Sequence, residues 1–161
     1  DGKDITDTLE KPGELQIKGP GVFKEYWNKP TATSKEFTEG GWFKTGDVAI
    51  KTDKEKVFKI HGRSNIDIIK SGAYKISALE VEYELLSHPN ILEVAVIGIE
   101  DHEWGQKVAA LGLKLDLKHL REFCKTKLAS YKVPTMLKVV DELPRNAMGK
   151  VNKRELIKFF E

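Results

Sequence analysis

Cysteine is almost absent from the chain: Cys124 is the only one in 161 residues. A lone thiol cannot close an internal disulfide, which excludes a disulfide-stapled scaffold and fits a reducing, intracellular compartment. Long apolar runs are missing too. None approaches the roughly 18 residues that a membrane-crossing helix needs. Nor does one sign of charge dominate, with 27 Lys+Arg against 25 Asp+Glu. With 40% hydrophobic residues, that balance fits a folded chain rather than a disordered one. The chain starts at Asp1 and shows neither a signal-peptide h-region nor an Arg-rich transit stretch. The expectation is a piece of a longer protein whose targeting signal would lie outside it.

The balance hides a gradient. Residues 1–61 hold 11 basic and 11 acidic side chains, residues 62–117 hold 5 and 9, and residues 118–161 hold 11 and 5. The basic tail fits either a solvated lysine-rich face or a surface for a polyanion, meaning nucleic acid or a phosphorylated small molecule. Charge alone does not decide between them.

The first 61 residues read as short strands and turns. Leu15-Gln16-Ile17 alternates ahead of Gly19-Pro20. Trp42 to Thr45 follows Gly40-Gly41, and Val48-Ala49-Ile50 and Val57 to Ile60 flank a polar hairpin loop over Lys51 to Lys56. A short helix is expected over Thr31 to Phe37, behind the break at Asn28-Lys29-Pro30. This stretch is thin for a domain by itself. After Gly62 the pattern changes. Ser77 and Glu80 form a capping box opening a helix in which Leu79, Tyr83 and Leu86 repeat until Pro89 stops it. Ile91 to Ile99, Val108 to Leu115 and Met136 to Val140 read as strands, and Leu117 to Leu128 as an amphipathic helix with Cys124 on its apolar side. A second capping box, Asn152 with Glu155, opens a last helix carrying Leu156, Ile157 and Phe160. The fold class is α+β: a β-rich segment over 1–61, then a compact α+β domain over 62–161.

Three segments carry candidate chemistry. In Lys44-Thr45-Gly46-Asp47, between one strand and the next, the Asp47 carboxylate can accept from a vicinal diol such as ribose, or the segment is an ordinary turn. The stretch from Gly62-Arg63 to Gly72 and Lys75 offers a bidentate fork, a close backbone approach and a point charge, or else a linker with surface ion pairs. Pro144-Arg145-Asn146-Ala147-Met148-Gly149-Lys150 holds a lysine on a Gly-containing turn, either exposed and idle or a mobile positive charge for a distant site.

In this order and spacing the three segments resemble the C-terminal part of the adenylate-forming superfamily of acyl-CoA synthetases, luciferases and peptide-synthetase adenylation domains. The likeness runs from Gly13-Glu14-Leu15 to Phe160. Phe23 to Pro30, Asp67 to Lys70, Tyr74 to Glu82, and Pro144 to Asn146 with Met148 to Lys150 narrow the resemblance to the family's malonate-activating members. The resemblance implies an enzyme that activates a carboxylate, malonate or methylmalonate, with ATP as acyl-AMP and passes it to coenzyme A. Mg²⁺ would arrive with ATP, held mainly by residues this chain lacks. It implies no nucleic-acid partner, and a mitochondrial matrix location if the narrower likeness holds.

Residue by residue, the resemblance gives Lys150 the adenylation step and places Asp47 and Arg63 at the AMP ribose. Gly72 would line the pantetheine tunnel, and Lys75 would contact phosphate. Trp104 and Tyr131 would meet coenzyme A, with packing on the domain surface as the alternative for both. Asn65 stands at the family's hinge, where Asp or Lys is commoner. Val133 stands where some relatives carry arginine. Asp116-Leu117 joins strand to helix with almost no loop. The phosphate loop and acyl pocket of the family are absent, so this piece alone is expected to be inactive. His61, His88, His102 and His119 show no metal-ligand spacing. A peptide-synthetase domain or a luciferase shares the same segments, whereas an RNA-binding α+β module would leave them unexplained.

Overall fold

The computed structural model describes residues 2–52, 57–112 and 117–161. They form two compact units, Asp1–Ser64 and Asn65–Glu161. Part of the expected loop over Lys51 to Lys56, the end of the run Val108 to Leu115, and the Asp116-Leu117 joint lie outside the described residues.

The first unit is a three-stranded antiparallel sheet in the order β1 (Gly13–Ile17), β2 (Phe43–Lys51), β3 (Phe58–Arg63). The helix α1 (Pro30–Glu36) starts on proline, whose missing N–H would have no intrahelical partner there. Phe23, Tyr26, Phe37 and Phe43 form its aromatic cluster, with ring centroids 4.9–5.5 Å apart. Ala49 is the one buried apolar side chain of the unit among the described residues. The sequence divides Trp42 to Thr45 from Val48 to Ile50, whereas the structure runs β2 through both.

The second unit carries a five-stranded sheet: β4 (Ile68–Ser71), β5 (Tyr74–Ser77), β6 (Val94–Asp101), β7 (Gly105–Gly112) and β8 (Met136–Val139). The path is β5-β4-β7-β6, all antiparallel, and β8 adds parallel to β7. Side chains alternate across a strand, so β6 sends Val94 and Val96 to one core and Ala95 and Ile97 to another, and β7 likewise splits Val108 and Ala110 from Ala109 and Leu111. Covering both faces is what makes these strands near-continuous apolar runs. Helices α2 (Ala78–Leu86) and α3 (Leu117–Lys125) complete the first core with Val81, Leu85, Leu120 and Cys124. The short α4 (Lys153–Leu156) completes the second with Leu156, beside Leu143.

Three local expectations need correction. In α2 the buried side chains are Ala78, Val81 and Leu85, while Tyr83 is 75% exposed and Leu79 and Leu86 are also exposed. The Ser77 hydroxyl does accept from the Glu80 amide at 3.0 Å. The Glu80 carboxylate, however, turns to Lys132 at 2.6 Å, because an ammonium is a stronger partner than an amide. At Asn152 there is no side-chain cap: its Nδ2 donates to Glu155 Oε1 at 2.6 Å, and after one helical turn the chain tightens into a 3-10 turn over Ile157–Phe159.

Candidate functional site

In the first unit Asp47 and Arg63 face each other across β2 and β3. The segment is neither a turn nor a strand end. Between the pairs Glu14–Val48 and Gln16–Lys44, β1 has one residue, Leu15, and β2 has three, so β2 bulges at Thr45–Asp47. Gly46 makes this possible at φ +74°, in the left-handed region. The Thr45 hydroxyl pins the bulge, donating to Leu15 O at 2.9 Å and accepting from the Asp47 amide at 3.1 Å. Arg63 Nη1 lies 3.5 Å from Asp47 Oδ1 and donates to Thr45 O at 3.3 Å. The Asp47 side chain is 29% exposed and that of Arg63 is 54% exposed. A half-solvated pair of this kind adds little stability. What it does is present a carboxylate and a guanidinium side by side, an arrangement suited to hydroxyls and phosphate oxygens.

In the second unit Gly72 and Trp104 meet. Gly72 sits in the two-residue turn between β4 and β5 at φ +57° and donates its N–H to Trp104 O at 2.7 Å. A Cβ there would stand 3.5 Å from the Trp104 ring. Trp104 belongs to the β6–β7 turn, which Asp101 organises: Oδ1 accepts from the amides of Glu103 and Trp104, and Oδ2 pairs with Lys107. These contacts, led by Lys107, hold the Asp101 carboxyl below the usual range and lift Lys107 above its own. Tyr131 does not pack alone on the domain surface. It stacks on Tyr74, centroids 3.9 Å apart and rings 10° from parallel. Tyr74, Trp104 and Tyr131 are 40–50% exposed, leaving ring surface open to a ligand. Lys75, next after Tyr74 on β5, is exposed and stands opposite Lys70 across the hairpin.

Lys150 lies on a built turn rather than a loose one. Arg145 and Val151 bridge its base, Asn146 N donates to Lys150 O at 2.8 Å, and Gly149 N donates to Asn146 O at 2.9 Å. The Asn146 side-chain oxygen accepts from the amides of Met148 and Lys150. Gly149 supplies the positive φ, +77°. Arg145 braces the turn from outside, donating to Gly149 O and pairing with Glu93. The Lys150 side chain is exposed and makes no hydrogen bond or ion pair among the described residues. A fixed backbone therefore carries a free ammonium.

Cys124 is buried at 1% exposure, and burial pushes its thiol up, so it is a packing residue rather than a nucleophile. Among the described residues no group of three His, Cys, Asp or Glu is placed to hold a metal ion. The basic tail is partly spent within its own unit. Lys127, Lys132, Arg145 and Lys153 pair with Glu84, Glu80, Glu93, Asp67 and Glu82, all from the acidic segment 62–117. These partners, and Tyr74 against Tyr131, escape sequence reasoning because 40 or more residues separate most of them.

A sheet with helices on both faces and a lysine turn before a short last helix defines a small domain of known kind. Residues 80–150 match the family model described as the AMP-binding enzyme C-terminal domain. The chain carries this C-terminal domain, and along most of its length it is similar to adenylate-forming CoA ligases. It is 51% identical over 156 residues to the mitochondrial malonate–CoA ligase ACSF3 of Homo sapiens, covering 94% of this chain and 27% of that protein. Among solved structures, ATP-bound MatB from Rhodopseudomonas palustris matches with TM-score 0.83 at 32% identity, over 94% of this chain and 31% of that one. The o-succinylbenzoate CoA synthetase MenE of Bacillus subtilis, in complex with its acyl-adenylate OSB-AMP, matches with TM-score 0.84 at 38% identity, over 92% and 31%. The chain spans about a quarter of the length of the curated relatives it matches.

Proposed function

We propose that the protein carrying this chain is an AMP-forming acid–thiol ligase that activates malonate, or methylmalonate, and transfers it to coenzyme A. The observation that carries this reading is the 51% identity to a malonate–CoA ligase along nearly the whole chain. A carboxylate attacking the α-phosphate of ATP accumulates negative charge there. The unpaired Lys150 ammonium supplies the complementary charge in the transition state, and it acts most strongly where water is excluded. Asp47 and Arg63 would hold the ribose hydroxyls and a neighbouring oxygen of AMP. The open faces of Trp104 and the Tyr74–Tyr131 stack suit the flat adenine of coenzyme A. The Gly72 turn beside them would admit the pantetheine arm, and Lys75 would meet phosphate. Mg²⁺ would enter with the ATP phosphates and be held mainly by residues outside this chain. The word mitochondrial in the relatives' name supports the mitochondrion as the compartment, and the matrix is the part of it we propose.

The test uses the full-length protein, following AMP release with ATP, Mg²⁺ and coenzyme A against malonate, methylmalonate, acetate, octanoate and an amino-acid mixture. The expected result is turnover with malonate or methylmalonate that depends on coenzyme A. Preference for another acid would remove the substrate assignment but keep the reaction. Adenylation without consumption of coenzyme A would point to another acceptor, as in a peptide synthetase or a luciferase.

A further inference from the structure

Lys153 opens α4, yet its side chain is only 13% exposed. Its ammonium lies 2.7 Å from Asp67 Oδ1 and 2.7 Å from Glu82 Oε1, and those side chains are 10% and 14% exposed. Asp67 leads into β4, and its carbonyl accepts the first amide of α2, that of Ala78, at 2.7 Å. Glu82 lies on α2, and its Oε1 also accepts the Val96 amide of β6 at 2.7 Å. One nitrogen therefore joins β4, α2 and α4, with β6 attached through Glu82. Burial pushes the Glu82 carboxyl up, and Lys153 opposes that push. Charges this covered persist only when paired, and removing one partner strands the others.

The location on the chain gives the cluster its meaning. Lys153 follows Lys150 by three residues. The turn between them has two arms. The first is anchored by Arg145, through Gly149 O and Glu93. The second passes Val151 and Asn152, whose amide donates to Pro144 O at 2.9 Å, and then reaches Lys153. Lys150 has no side-chain bond of its own among the described residues, so these two anchors decide where its ammonium can reach.

We propose that Lys153 is a positioning residue for Lys150. By holding the first turn of α4 on Asp67 and Glu82, it sets the position of the lysine turn that serves adenylation. The inference rests on the role given to Lys150 above. A positioning error of about an ångström is enough to cost on the order of 100-fold in rate.

The experiment compares Lys153→Met and Lys153→Arg in the full-length protein, measuring the two half-reactions separately and amide hydrogen exchange in parallel. In Lys153→Met, acyl-adenylate formation should fall about 10- to 100-fold, while thioester formation from supplied acyl-adenylate stays within about twofold. Exchange at the Met148, Lys150 and Asn152 amides should quicken, with the β6 and β7 amides unchanged. Lys153→Arg should restore most of the adenylation. An equal loss of both half-reactions, or faster exchange throughout the sheet, would reduce Lys153 to a general stabiliser and overturn the proposal. So would unaltered adenylation in Lys153→Met. Should that variant not fold, Glu82→Gln keeps the shape, removes one charge, and carries the same expected split in smaller measure. If the wild type forms no adenylate, the reading of Lys150 falls and takes this proposal with it. Unchanged exchange at the turn sinks the proposal alone.

Discussion

Asp101 accepts hydrogen bonds from two backbone amides and an ammonium at one turn, and all three favour its charged form. Its carboxyl therefore titrates below the ordinary value of 3.8 to which it returns on unfolding. Between those two values the unfolded chain binds the proton and the folded one does not. Stability thus rises with pH through that window, is complete above the ordinary value, and is lost as pH falls through the lowered one. Asp101→Asn removes this slope. Thermal midpoints followed downward from about pH 6 should fall more steeply below about pH 4 in the wild type than in the variant. Equal slopes would show that the Asp101 turn is not what is titrating. At this scale the sequence is only half legible. Asp47 after Gly46 marks a candidate turn, which the structure makes a bulge within β2. Nothing in the sequence shows that the Tyr74 ring lies on Tyr131, 57 positions away, or that Glu80 abandons its cap for Lys132.

Elements are more legible than residues, because period and punctuation are local. The strands β6 to β8 and the helix starts at Pro30 and Ala78 lie within a few residues of where alternation, proline and Ser77 place them, whereas the β4–β5 hairpin stands in the stretch that the sequence offers as a linker or a candidate site. The orientation of α2 is a different matter. Its nine residues carry two apolar stripes, Leu79-Tyr83-Leu86 and Ala78-Val81-Leu85, and only packing on the sheet selects the second. The link between β4 and β7 is also invisible from sequence. Their ladder pairs only Ser71 with Gly105, and the Gln106 carboxamide extends it by accepting the Lys70 amide at 2.8 Å. Gly98 on β6 leaves room for that side chain. A Cβ there would stand 2.9 Å from the Gln106 carboxamide and 3.0 Å from the Ile69 side chain. Gly98→Ala should therefore displace Gln106 and destabilise the protein by about 1–3 kcal/mol, the usual cost of overpacking. Chemical denaturation measures this, and a variant within about 0.5 kcal/mol of wild type would show that the contact yields freely.

At the scale of the whole molecule the charge gradient acquires a physical cause. The acidic segment 62–117 and the basic tail fold onto each other in one unit, through pairs that range from half-exposed to well covered. The tail is thus in part an internal counter-charge, and its remaining lysines, Lys150 among them, are what it offers to a polyanion. The family resemblance was legible because it rests on short ordered segments that survive without any knowledge of packing. The roles of Asp47, Arg63 and Lys150 come from that resemblance and not from packing, since the Asp47–Arg63 pair and the Lys150 turn belong to different units.

The central claim is that Lys150 acts in making the adenylate and not in using it. Lys150→Ala in the full-length protein, assayed in each half-reaction separately, tests it most directly. The account predicts a fall of about 10²- to 10³-fold in acyl-adenylate formation, the usual effect of removing one electrostatic group from a transition state. Thioester formation from supplied acyl-adenylate should stay near the wild-type rate. An equal fall in both half-reactions, or none in the first, would contradict it.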